Sequence, residues 1–189
     1  MAESGGDWAP YQQLQEAAAV YLRDPQMAME ALRGVVDLDA IQGFTMDRFT
    51  KQRDGREVLY QEIAITDGRR LILWMGDDLF ADDDGDGFDD DDDDEPAAAL
   101  FESAIRVIPL SWIYDVSLDA NYRVEGQRRA LHSVELRIYV GSTDYTKART
   151  PEKTEFHSED FVFSKSHSDG GVAQAQRLMQ FGKLMATHV

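Results

Sequence analysis

A chain of 189 residues with 43% hydrophobic content, including nine Phe, seven Tyr and three Trp, can bury the core of one domain and is not disordered throughout. It holds no cysteine, which excludes disulfides, thiolate zinc sites and cysteine nucleophiles and suits a reducing compartment. With 36 acidic against 19 basic residues its formal charge is −17, so at long range it repels nucleic acid and anionic lipid.

In chain order, the first elements are helical. The opening Met1–Asp7 has no basic stretch followed by an apolar core, so no signal peptide is expected. Asp7 can cap a helix with Pro10 just inside its start, and Tyr11, Leu14, Ala18 and Tyr21 share one face at helical spacing. Asp24-Pro25 restarts the chain, with Asp24 as N-cap and Pro25 at the first helical position. Met27, Ala31 and Leu32 continue the apolar face until Gly34. Residues 1–39 thus read as a helical annex.

After Gly43 the hydrophobic period changes from helical to two. A first strand runs from Phe44 to about Gln52, a second from Glu57 to Thr66, and a third, largely apolar, from Leu71 to Met75. Asp54-Gly55 and Asp67-Gly68 supply hairpin turns between them, because both residue types tolerate positive φ. An insert at about 77–97 follows. Between Gly76 and Pro96 stand thirteen acidic residues and no basic one, so the rest of the chain has 23 acids against 19 bases, a net charge of −4. The segment reads as a solvated, disordered loop between the third and fourth strands.

Strands resume at Ala104–Ile108 and Trp112–Val124, where Trp112, Tyr114, Val116 and Leu118 fall on one face. From Ala130 to Val140, Val134, Leu136, Ile138 and Val140 alternate with Glu135, Arg137 and Tyr139, predicting one buried and one wet face. A seventh strand spans Glu155–Phe163, with Phe161 and Phe163 together. The chain closes on an amphipathic helix from Val172 to about His188, with Leu178, Phe181 and Met185 as its stripe. No apolar run approaches the roughly 18 residues that would span a bilayer, and the expected location is the cytoplasm.

Seven antiparallel strands followed by one helix is an order that resembles the pleckstrin-homology-like barrel. The segment Ile108-Pro-Leu-Ser-Trp-Ile-Tyr-Asp-Val-Ser-Leu118 is also similar to a phrase common in bacterial versions. The resemblance covers about residues 40–189 and implies an α+β fold: a seven-stranded antiparallel barrel or curved sheet closed by the C-terminal helix, preceded by two N-terminal helices. Where eukaryotic members usually place a Trp in the closing helix, this chain offers Phe181.

Three groups of residues invite a site. Asp82-x-Asp84-x-Asp86-Gly87 matches the opening of a calcium loop, with Asp93 at the twelfth position where a bidentate Glu is the usual ligand. Against ordered binding stand Asp89 at a normally apolar position and flanks that do not read as paired helices; weak, non-specific divalent cation condensation fits such a run better. No other cofactor is expected. Arg48, Lys51, Arg53 and Arg56 form a basic cluster around the first hairpin turn, where the resemblance implies anion or lipid binding. Arg137 and Tyr139, on the wet face of the sixth strand, are of the types enriched at protein interfaces.

Catalytic signals are poor. His132, His157, His167 and His188 are scattered, and there is no Gly-x-Ser-x-Gly elbow, phosphate-binding Gly-Lys-Ser/Thr loop or His-Glu-x-x-His helix. The expectation is therefore a non-enzymatic adaptor that binds a protein partner, not nucleic acid, through a strand edge or the groove beside the C-terminal helix. The alternatives are an acidic mimic of nucleic acid and a secretion-type chaperone, either of which would sequester a protein.

Overall fold

A computed structural model describes residues 5–53, 55–79, 100–143 and 156–189. Three helices and seven strands follow in the order α1 (Leu14–Tyr21), α2 (Pro25–Arg33), β1 (Gly43–Arg53), β2 (Arg56–Thr66), β3 (Arg70–Leu79), β4 (Leu100–Pro109), β5 (Ile113–Glu125), β6 (Arg128–Thr143), β7 (Phe156–Ser166) and α3 (Gly171–Ala186). The strands form two antiparallel sheets, ordered β1-β2-β3-β4 and β5-β6-β7. They do not join into one closed barrel. The division falls at Pro109: it ends β4, and a single 3-10 turn over Leu110–Trp112, held by the Leu110 amide on the Arg69 carbonyl at 3.0 Å, redirects the chain into β5.

The first helix begins at Leu14 instead of Pro10. Asp7 turns its carboxylate onto the Ala9 amide at 3.0 Å and stabilises the preceding turn. Asp24 and Pro25 start α2 as their chemistry predicts, although the Asp24 carboxylate bonds Arg23 and Gln61 instead of capping its own helix. The acidic run also begins inside a strand: β3 reaches Leu79, so Asp77 and Asp78 pair with β4 opposite Glu102 and Phe101. Asp78 accepts both Arg23 guanidinium nitrogens, which ties α2's start to the first sheet and holds the Asp78 carboxyl below its usual range.

The first sheet is covered on both faces. Phe44, Met46, Ile63, Ile65, Ile72 and Trp74 point to one side and share a core with Trp8, Leu14, Tyr21, Met29 and Leu32 of the N-terminal region. Ala64, Leu71, Leu73 and Ile108 point to the other and meet Leu136, Ile138, Phe163, Leu178, Phe181 and Met185. Residues 5–39 are therefore packed on the β domain. The β7 strand crosses this second face: Arg106 of β4 pairs with Glu159 and lies over the Phe161 ring at 5.1 Å, while Lys165 reaches Asp47 of β1 at 2.9 Å. The inner face of the second sheet is closed by α3. Gly182 makes the approach close, since a Cβ there would lie 2.9 Å from Leu118 and 3.0 Å from Leu136. Among the described residues no helix is long and apolar enough to cross a membrane.

Candidate functional site

The second sheet presents a long open edge. Strand β5 has thirteen residues and pairs only with β6, so among the described residues one row of its backbone donors and acceptors has no strand neighbour. Alternation along β5 is broken by a bulge: Ile113 faces Val140 and Asp115 faces Tyr139, leaving Tyr114 as the extra residue. This corrects the expected grouping of Trp112 and Tyr114 with Val116 and Leu118. Ile113 is the residue that goes inside, whereas Trp112 is 50% and Tyr114 47% exposed.

The bulge gathers an aromatic patch on the outer face. Tyr114 lies against Tyr139 with ring centroids 6.1 Å apart, and its hydroxyl shares a hydrogen bond with Ser158 of β7. Two residues away along β6, Arg137 donates to Glu135 at 2.8 Å and lies 3.6 Å from Asp160. Glu135, ahead of Asp160, pushes the exposed guanidinium further toward its charged form. Arg137 and Tyr139 thus belong to one surface, held by partners the register supplies.

Beyond Ser133, β6 loses its β7 neighbour and continues with β5 as a two-stranded ribbon that turns at Gly126, where φ is +62°. One face of this ribbon carries the paired positions Tyr122–Leu131 and Val124–Arg129. Tyr122 is 53% and Val124 61% exposed. An edge strand bearing large apolar side chains in this state is a template for pairing with another chain.

Three of the four basic residues of the first hairpin, Lys51, Arg53 and Arg56, share one face, and Arg48 lies on the other. Alternation along β1 puts Arg48 on the side of the N-terminal helices, where it donates to the Tyr21 carbonyl at 3.2 Å. Lys51 and Arg53 point the other way, with the Lys51 ammonium 4.8 Å from the ring centres of both Phe49 and Tyr60; Arg56 pairs with Arg53 across the turn. Asp82, Asp84, Asp86 and Asp93 lie outside the described residues. Among the described residues no group of three or more His, Asp or Glu is arranged to hold a metal.

The groove beside α3 is small, about 130 Å³, and Gln12 and Arg177 contribute to its walls. The Arg177 guanidinium lies 4.9 Å from the centre of the Phe44 ring and 5.7 Å from that of Trp8, and burial lowers its pKa. The N-terminal region therefore already covers much of that groove.

Lys165 is a constellation the sequence reading missed. It is 2% exposed and donates to the Tyr21 hydroxyl at 3.0 Å and to Asp47 at 2.9 Å. Burial alone would lower its pKa, but Tyr21 and Asp47 together raise it, so the ammonium stays charged. Its spacing offered the signal: Lys165 is two residues beyond Phe163, on the same inward face. Comparison of the chain with family models, with curated proteins and with solved structures gives no match.

Proposed function

We propose that the protein is a non-enzymatic adaptor with a pleckstrin-homology-like architecture that receives an extended segment of a partner protein along β5. The observation that carries this reading is the one-sided, thirteen-residue β5 strand with Trp112, Tyr114, Tyr122 and Val124 about half exposed or more beside it. Main-chain pairing along such an edge supplies affinity, and the side chains at alternate positions supply selectivity. Of the devices that blunt a free edge, β5 has the bulge at Tyr114 and four charged residues but neither Lys nor Pro. Two sheets of four and three strands with a helix across the smaller one support the architecture. The absence of cysteine from the sequence suits work in the cytoplasm.

The test is capture of a cellular partner by the full chain, followed by quantification with Tyr122→Lys and Val124→Lys, which place charge on the edge without touching the core. Each should weaken binding by about tenfold, or roughly 1.4 kcal/mol. Deleting residues 82–95 should leave binding in place. Undiminished binding by both edge variants would overturn the proposal, and loss on deletion would favour an acidic mimic.

A further inference from the structure

The free edge of β5 sets requirements on any strand that pairs with it, and β5 itself meets them. Across β6, Asp119 faces Glu135, a like charge, and Arg123 faces Ala130, so the sheet sets no opposite charge directly beside either. Both side chains are exposed. On the other face Ala120 is small, while Tyr122 and Val124 are large, apolar and at least half exposed. A pairing strand therefore needs a cation opposite Asp119, a carboxylate opposite Arg123, a large apolar residue opposite Ala120 and another apolar one opposite Val124. Resting on the reading of β5 as a pairing edge, we propose that a second copy of this chain occupies that edge when no other partner does, the two β5 strands running antiparallel about a two-fold axis at Asn121.

Charge selects this register. Two-fold antiparallel pairing sets residues of the same face opposite each other, so the axis passes through one residue. With the axis at Asn121, Asp119 of each copy meets Arg123 of the other, Ala120 meets Tyr122, Leu118 meets Val124, and the two Asn121 amides face each other. An axis at Asp119 sets two carboxylates face to face, and one at Arg123 sets two guanidiniums. Axes at Ser117, Ala120 and Tyr122 each put acid opposite acid, and an axis at Leu118 joins no charges. Like charges directly opposite destabilise a strand pair, whereas opposite ones support it.

The fold leaves room for the pair. The irregularity between Asn121 and Tyr122 places the extra residue, His132, on β6, so β5 alternates without interruption from Ser117 to Glu125. Gly182 brings α3 against Leu118. The two copies of Leu118 are separated along the strands by the length from Leu118 to Val124, about 20 Å. That exceeds the roughly 10–12 Å diameter of a helix, so the two α3 helices pass without overlap. Residues 117–125 hold one base and two acids, so little of the −17 of each chain lies in the contact itself.

The test is sedimentation equilibrium of the full chain from about 10 µM to about 1 mM in about 0.15 M sodium chloride. One added strand pair is a small interface, so a monomer–dimer equilibrium with a Kd near about 0.1 mM is expected. Asp119→Arg and Arg123→Asp, both at exposed positions, should each weaken association by about tenfold or more, because each replaces two opposite-charge pairs with two like ones. The double variant Asp119→Arg/Arg123→Asp should restore it to within about threefold of the parent, a rescue that no foreign strand at this edge would show. A monomer at every concentration, single variants that associate like the parent, or a double variant no better than the singles would each overturn the proposal. Partner capture that still depends on Tyr122 and Val124 in a purely monomeric chain would leave the adaptor reading standing. Charge-swap rescue with capture indifferent to Tyr122→Lys and Val124→Lys would overturn that reading alone.

Discussion

Lys165 ties together three parts of the chain that are far apart in sequence: the end of α1 through Tyr21, the edge strand β1 through Asp47, and its own strand β7. A buried ammonium is tolerated only while its partners remain, so the two members of the pair are not equivalent under mutation. Asp47→Ala strands the charge and should cost about 3 kcal/mol. Lys165→Met should cost less, because Asp47 sits on an edge strand with 15% of its side chain exposed and can turn to water. Urea denaturation of the two variants checks this order, and the reverse order would mean that Asp47 does not hold the lysine. Both Lys165 and Tyr21 have folded-state pKa values raised above their ordinary 10.5 and 10.0. Their contribution to stability is therefore full below pH 10 and is lost as pH rises through the raised values.

Glu62, opposite Asp47 on β2, has the opposite consequence near neutrality. Burial, and then Asp47, raise its pKa above 4.5, outweighing Lys51 and Lys165. A carboxyl with a raised folded-state pKa adds stability at low pH and loses it as pH climbs through that value. Glu62→Gln should thus stabilise the protein at pH 7, with the gain shrinking to nothing below about pH 4.5. Thermal melts at pH 4 and pH 7 read the difference, and a variant less stable at pH 7 would contradict it.

Among the elements, the strands were legible because alternation and turn chemistry agree. Val134, Leu136, Ile138 and Val140 are buried as their spacing predicts, and Gly55 and Gly68 take the positive φ their turns require. β5 was misread at its start because a bulge shifts the phase by one residue, and a bulge at Tyr114 leaves no mark in composition. The packing of the N-terminal helices was readable in principle: Leu71-Ile-Leu-Trp74 is apolar at every position, the pattern of a strand buried on both faces. The α3 stripe was also legible, but the importance of Gly182 depends on which leucines stand opposite it. Helix propensity alone says that replacing Gly182 should stabilise α3 by up to about 1 kcal/mol. Packing against Leu118 and Leu136 opposes that, and Gly182→Val should lower stability by about 1–3 kcal/mol in urea denaturation. A stabilised variant would mean that α3 can lift from the sheet at no cost.

At the scale of the whole molecule, charge and fold are largely separate. The described residues carry paired charges, such as Arg23 with Asp78, Arg106 with Glu159 and Arg70 with Asp67, while eleven of the thirteen clustered acids fall at residues 82–95. Deleting residues 82–95 changes the formal charge from −17 to −6. Self-repulsion among so many like charges opposes any compact state and is screened by salt, with a Debye length of about 10 Å at 0.1 M and about 3 Å at 1 M. The long-range part of that repulsion should fall away first. Raising sodium chloride from about 0.02 to 0.5 M should therefore increase the melting temperature of the intact chain more than that of the deletion variant. The deletion variant itself should melt at an equal or higher temperature in low salt, because it loses eleven like charges while all 19 basic residues stay. A fall in its melting temperature at low salt would show instead that the acidic segment supports the fold, and an equal salt response of the two proteins would place the repulsion in the sheets and helices.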